Sequence, residues 1–278
     1  LVNLNIMARK LSVSLVMLAL VLVGCEKDRG VSKEAKSLSE TTKQKSDWSV
    51  GEIHDNVLLQ MGLNYSDAGP TRAVDLMDYL SSYNILENNG ISGNDSVVLS
   101  THLDMLLSVG RYRGLQAVFG VNDSIINNLP INSIAQNYLH DILSLINEVN
   151  LSSNDYQELL VTADTINEMY LEVKGSFQPG SQEMKSIDRA TGVAIHSLHY
   201  WQGVLEDESH PHHDDILFLV NNKSGKTMGP FWDAVVLTVG ADITGALVGA
   251  AGGVTAPLAG IMAGVSSAAI VSCIIFCD

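Results

Sequence analysis

Apolar positions recur at helical spacing through the second half of the chain. Over 131–149, Ile131, Ile134, Tyr138, Ile142, Leu145 and Val149 follow one another every three or four residues. This spacing predicts a helix with one buried stripe. "NLSSND" breaks it, and Ser152 and Asp155 are placed to cap a second helix. That helix would bury Tyr156, Leu159, Ala163, Ile166, Tyr170 and Val173. "GSFQPGS" is polar and flexible enough to be a loop, and a third helix follows over about 182–205, burying Met184, Ile187, Ala194, Leu198 and Trp201. Nearer the start, Ser49-Val50-Gly51-Glu52 has the form of a capping box, and Ile53, Val57 and Met61 continue at helical spacing. A helix from about Pro70 carries Ala73, Met77, Leu80 and Tyr83 or Asn84 along one side, and another covers roughly 96–109 before "VGRYRG". Only "ILFLV" at 216–220 reads as strand-like, and it fits a buried helix equally. There is no βαβ alternation, so the pattern predicts an all-α fold, a bundle of about six helices.

The tail departs from this two-faced pattern. "TGALVGAAGGVTAPLAGIMAGVSSAAIVSC", from Thr244 to Cys273, has no charged residue. Gly245, Gly249 and Gly253 recur every fourth position, and after Pro257 the spacing continues through Gly260, Gly264, Ala268 and Ser272. On a helix each set forms one flat stripe. Glycine costs about 1 kcal/mol relative to alanine in an exposed helix interior, so such stripes ask for a helix packed close against them. The prediction is a glycine-zipper helical hairpin with arms at about 234–252 and 257–275, its stripes facing each other or the bundle. Each arm is near the roughly 20 residues that a bilayer requires. Asp242 within the first arm would be costly in lipid, and no positive residue flanks the tail. Burial in the centre of the body is therefore the first reading, with Asp242 near one end of the arm. A spanning hairpin and a tail that inserts into a target membrane are the alternatives. The last of these looks like the Gly/Ala-rich hydrophobic hairpins of some bacteriocins and pore formers.

The opposite end carries the most specific signal. From Met7, the expected initiator, "MARKLSVSLVMLALVLVGCEKD" has a basic start at Arg9 and Lys10 and an apolar run from Leu11 to Val23. The run is short for a membrane span and suits a secretory signal. It ends in Leu22-Val23-Gly24-Cys25, which closely resembles the lipobox of bacterial lipoproteins. The resemblance implies that residues 1–24 are removed and that Cys25 carries the lipid that holds the protein to a membrane. Buried acyl chains anchor durably at about 0.8 kcal/mol per CH₂. Glu26, in place of the aspartate that retains such proteins at the inner membrane, leans towards the outer membrane of a Gram-negative envelope. Residues 25–47 are polar and charged and read as a flexible tether; 48–230 form the helical body, and 231–278 the hairpin.

Processing would remove two positive charges and move the formal charge from −15 to −17. A surface this acidic, without a basic patch, excludes nucleic acid as a partner. What remains is a lipid-anchored envelope protein with a structural or interaction role towards an unknown protein partner. In the oxidising envelope Cys273 and Cys277 could bridge only if the last helical turn frays, because an i,i+4 pair on a regular helix is poorly placed.

Candidate chemistry is thin. "HSLHYWQGVLEDESHPHHDD", from His196 to Asp215, holds five of the eight histidines. His196 and His199 share a helix side away from Leu198 and Trp201, which predicts both exposed. His210, His212 and His213 lie among Glu206, Asp207, Glu208, Asp214 and Asp215. Imidazole and carboxylate suit Zn²⁺, but the spacing matches no standard motif, and a solvated acidic loop explains it as well. "NNKSGKTMG" lacks the first glycine of a phosphate-binding loop, with Val220 in its place. There is no G-x-S-x-G elbow, so the expectation is a protein that is not an enzyme and has no resident cofactor. "DWSVGEIHDNVLLQM", with Gly51, His54 and Asn56, resembles the G-x-x-H-N opening of uncharacterised bacterial envelope proteins, some of which also end in a Gly/Ala-rich segment. Asp55 separates His54 from Asn56 here, and the family carries no activity to transfer. The residues alone predict His54 on a helix surface or at a cap.

Overall fold

The computed structural model describes residues 50–61, 85–88, 91, 93, 95–102, 104, 117–149, 156–214, 229–251 and 255–276. All regular secondary structure among them is helical. The elements are α1 (Val50–Met61), the single turn α2 (Ile85–Asn88), α3 (Ala117–Asn128), α4 (Ser133–Glu148), α5 (Gln157–Val173), α6 (Gln182–Glu206), α7 (Gly229–Ala251) and α8 (Ala256–Phe276). A 3-10 turn, Lys174–Ser176, extends α5, and residues 95–102 are helical. Cys25, the tether, the predicted helix from Pro70, "ILFLV", "NNKSGKTM", Ser152 and Asp155, Gly253 and Cys277 lie outside the described residues, as does the side chain of Cys273.

Local signals start the helices where the chain provides them. The Asn132 side chain accepts from the Ala135 amide at 3.0 Å and opens α4. Ser181 does the same for α6, accepting from the Met184 amide at 3.1 Å. Each satisfies an amide that the first helical turn leaves without an intrahelical acceptor. Gly180, at φ +79, makes the left-handed turn just before Ser181, where a side chain would be strained.

α6 is the axis of the fold. It buries Ile187, Ala190, Val193, Ala194, Leu198, Trp201 and Val204 on several sides and packs against α1, α4, α5, α7 and α8. The all-α expectation holds, with the predicted faces of α5 and α6 largely in place. Three details differ. The buried face of α4 is Ala135, Tyr138, Leu139, Ile142, Leu143 and Ile146, while Ile134 is 56% exposed. The stripe drawn through Ile134 and Leu145 is thus rotated from the true one, because leucines and isoleucines stand on both sides of this helix. Met184 is only partly buried, lying in the first turn of α6. Helix α3 went unpredicted, since the glycine and polar residues of "AVFGVNDSIINN" dilute its apolar signal.

α7 and α8 form the expected hairpin, one turn of helix longer at the start than its sequence limits. Gly245 lies against Met262 and Ala263, and Asp242 against Ser267, so the arms run antiparallel. Every described side chain from Thr238 to Ala250 and from Leu258 to Ser267 is buried against protein. α7 faces α6, α3 and α4; α8 faces α1 and α6. Among the described residues, no helix is long and apolar enough to cross a membrane.

Small residues set how close these helices come. A Cβ on Gly245 would stand 2.6 Å from the Met262 carbonyl carbon; on Gly260, 2.8 Å from the Val50 carbonyl oxygen; on Gly264, 2.9 Å from the His54 carbonyl oxygen. Gly245 therefore faces the other arm, and Gly260 and Gly264 face α1. Gly249 is buried on the same arm as Gly245. Where the obstacle is backbone, it has little room to yield. Gly245→Ala should lower the unfolding free energy by about 1–3 kcal/mol in urea denaturation, the usual range for overpacking. Gly203, in the last turn of α6, would meet nothing nearer than 3.8 Å. Gly203→Ala should raise stability by up to about 1 kcal/mol, because only the helix preference changes.

Candidate functional site

The described residues converge chemically inside the hairpin. Asp242 lies in the middle of α7 and is 0% exposed, not near an end as its sequence position suggested. Its Oδ2 accepts from the Ser197 hydroxyl on α6 at 2.6 Å and faces His54 Nε2 on α1 at 3.1 Å. Its Oδ1 accepts from the Ser267 hydroxyl on α8 at 2.6 Å. One carboxylate thus ties four helices together. Three donors offset the desolvation that an isolated buried carboxylate would suffer.

His54 is 0% exposed, which corrects the expectation of a surface or capping residue. The reason lies in Gly51, one turn earlier. A side chain there would collide with the His196 ring and stand 2.6 Å from the Gly192 carbonyl oxygen, so α1 meets α6 almost backbone to backbone. That approach carries His54 into the core. Its Nδ1 meets Asp55 Oδ1 at 2.8 Å, and the Tyr200 ring lies edge-on at 6.4 Å. Asp55 Oδ2 continues to His196 Nδ1 at 2.7 Å. Asp55 and His196 are 27% and 28% exposed, so the chain of hydrogen bonds runs from the surface to the hairpin's centre.

Charge states follow from the bonding. Burial pushes His54 down, while Asp242 and Asp55 push it up, leaving it at about 9. Burial pushes the Asp242 carboxyl up, against the pull of His54, Ser197 and Ser267. Taken singly, a raised Asp242 favours a neutral pair and a raised His54 an ionic one. The geometry favours the ions: each imidazole nitrogen faces a carboxylate oxygen, and Ser197 and Ser267 both donate to Asp242, which stabilises its charged form. Asp55 sits below the usual carboxylate range: the His196 and His54 hydrogen bonds overcome its burial.

A second histidine reaches the hairpin. His102 is buried, with Nε2 2.9 Å from Ser266 Oγ on α8. On the other arm, Asn122 on α3 donates to the Gly240 carbonyl at 2.9 Å, and Thr244 Oγ1 lies against both Asn122 Oδ1 and that same carbonyl.

The predicted metal ligands do not gather. His196 turns to Asp55, and His199 is exposed. The His210 and His212 rings meet at 5.7 Å, tilted by 57°, while His213 Nδ1 sits 2.8 Å from the Val204 carbonyl. His212 and His213 are buried, where a solvated loop was expected. A short turn held by Asp207, which accepts from the Ser209 amide and hydroxyl, folds them back onto the end of α6. Among the described residues, no group of three or more His, Cys, Asp or Glu side chains is arranged to hold a metal ion.

Serine, histidine and aspartate meet here in an order unsuited to nucleophilic catalysis. That chemistry places the imidazole between the hydroxyl and the carboxylate, so that it can take the hydroxyl proton. Here the carboxylate is in the middle and Ser197 gives its proton to Asp242, which leaves the oxygen without a base. The arrangement is suited to fastening helices. Removing one partner of a buried pair strands the other, so Asp242→Ala should cost roughly 3–5 kcal/mol in urea denaturation. The double variant His54→Leu/Asp242→Leu should cost less than the two single changes added together; strict additivity would mean that the two groups are not coupled. Comparison with known proteins offers no further guide, since no family model, curated protein or solved structure matches the chain.

Proposed function

We propose that the chain is a lipid-anchored protein of the bacterial cell envelope, held to the membrane through Cys25 and serving a structural or protein-interaction role. The observation that supports it most is the hairpin's setting. Its described side chains from Thr238 to Ala250 and from Leu258 to Ser267 face protein, so the most apolar part of the chain is used for packing. Membrane attachment then rests with the lipobox, Leu22-Val23-Gly24-Cys25, and the polar tether behind it. Glu26 favours the outer membrane. The buried His54–Asp242 network supports a fastening role over catalysis, because Ser197 donates to a carboxylate and all three side chains are sealed from solvent.

One observation favours a second reading, a membrane-active protein. α7 carries only Asp233 and Asp242 as charges and α8 carries none, so a hairpin freed from the body would present a largely uncharged apolar surface to a membrane. Fractionation of cells expressing the full chain separates the two. Cys25→Ala should move the protein from the membrane to the soluble fraction. Continued tight attachment, or leakage of dye from anionic vesicles exposed to the released protein, would favour the second reading.

A further inference from the structure

Two histidines hold the α7–α8 hairpin, and their surroundings require opposite charges. His54 faces Asp55 from its own helix and Asp242 from α7; α6 adds Ser197 and the Tyr200 edge, with His196 beyond Asp55, and α8 adds Ser267 through Asp242. Both of its nitrogens face carboxylate oxygens, so the docked hairpin favours the imidazolium. His102 is the reverse. Ser266 gives its single hydroxyl proton to the Met262 carbonyl at 2.6 Å, so His102 Nε2 must be the donor to Ser266. Nδ1 is then the bare nitrogen, and it is buried with no hydrogen-bond partner among the described residues. A proton added there would create a buried cation whose N–H has no acceptor.

We propose that docking of the hairpin is confined to a window of pH, bounded on the alkaline side by loss of the His54 proton and on the acid side by protonation of His102. The titration of each group agrees with its geometry. His54 stands at about 9, against 6.5 for a free histidine, so its contribution is complete below 6.5 and is lost as pH rises through 9. Burial alone pushes His102 down to about 4, so its contribution is complete above 6.5 and is lost as pH falls towards 4. Asp242 is the ionised partner of His54 in the docked state, and replacing His102 separates any acid dependence of that pair from the His102 limb. Asp55, held below the usual range, stays ionised across the window.

Hydrogen exchange on the intact protein, corrected for the intrinsic effect of pH, reads hairpin opening directly. With both histidines acting on the same opening, peptides from 229–276 should open about 6-fold more at pH 5 than at pH 7, and about 30-fold more at pH 9, while peptides from 133–173 respond less. His102→Gln keeps a neutral donor towards Ser266 and should abolish the acid limb alone; if it fails to fold, His102→Leu serves the same end. Asp55→Asn, at a half-buried position, should move the alkaline limb to lower pH. Flat hairpin exchange in the parent, an acid limb that survives replacement of His102, or an alkaline limb unmoved by Asp55→Asn would each overturn the proposal.

Discussion

The Asp242 carboxylate is the constraint around which the rest is arranged. An ionised group in the middle of an otherwise apolar helix, fully buried, is tolerable only if donors reach it from every side. They come from α1 as the His54 imidazolium, from α6 as Ser197, and from α8 as Ser267. Each contact fixes one helix relative to α7. Moving any of the three by a turn of helix, about 5.4 Å, would leave both the carboxylate and its lost donor unsatisfied.

Those short contacts exist only because the helices come unusually close. Gly51 lets α1 meet α6 at Gly192; Gly245 lets the two arms touch; Gly260 and Gly264 let α8 lie on α1. Serine and histidine side chains are short, so the 2.6 Å and 3.1 Å distances at Asp242 depend on backbones held near by glycine. The packing stripes and the polar network are therefore one device. The first brings the helices into range, and the second fixes where along their length they stop.

Much of the fold was legible because helical periodicity and caps are local. The α5 and α6 faces and the hairpin arms all follow from residues a few positions apart, and the Asn132 and Ser181 caps, which the pattern of apolar positions did not mark, are equally local. α3 was illegible because its burial is decided by α7, to which Asn122 bonds across a sequence gap no local pattern spans. The site was half legible. Gly51 and His54 stood out in "DWSVGEIHDNVLLQM", and Asp242 stood out as a charge in an apolar run, but nothing in the sequence paired two residues 188 positions apart. The histidine-rich stretch from His196 to Asp215 misled for the opposite reason. Proximity in sequence suggested a common site, whereas α6 and the turn after it send the rings in different directions: His196 to Asp55, His213 to the end of its own helix.

Pairing Asp242 with His54 also answers what a smooth apolar hairpin lacks. Arms that are apolar on all sides, with alanine, valine and glycine at most contacts, present nearly the same surface after a rotation or a one-turn slide. Hydrophobic burial is non-directional and scarcely separates these arrangements. A hydrogen-bonded charge does separate them, since the shifted packings strand an ion in the core. Replacing such a pair with well-packed aliphatic side chains can leave the net stability unchanged or improve it, so strength alone does not account for its place here. Its effect is on the gap between the native packing and its near neighbours. The same network ties that gap to proton occupancy at His54, while His102 on Ser266 adds the opposite dependence from the other arm. Register and pH response are therefore two consequences of fastening an apolar hairpin with ionisable groups.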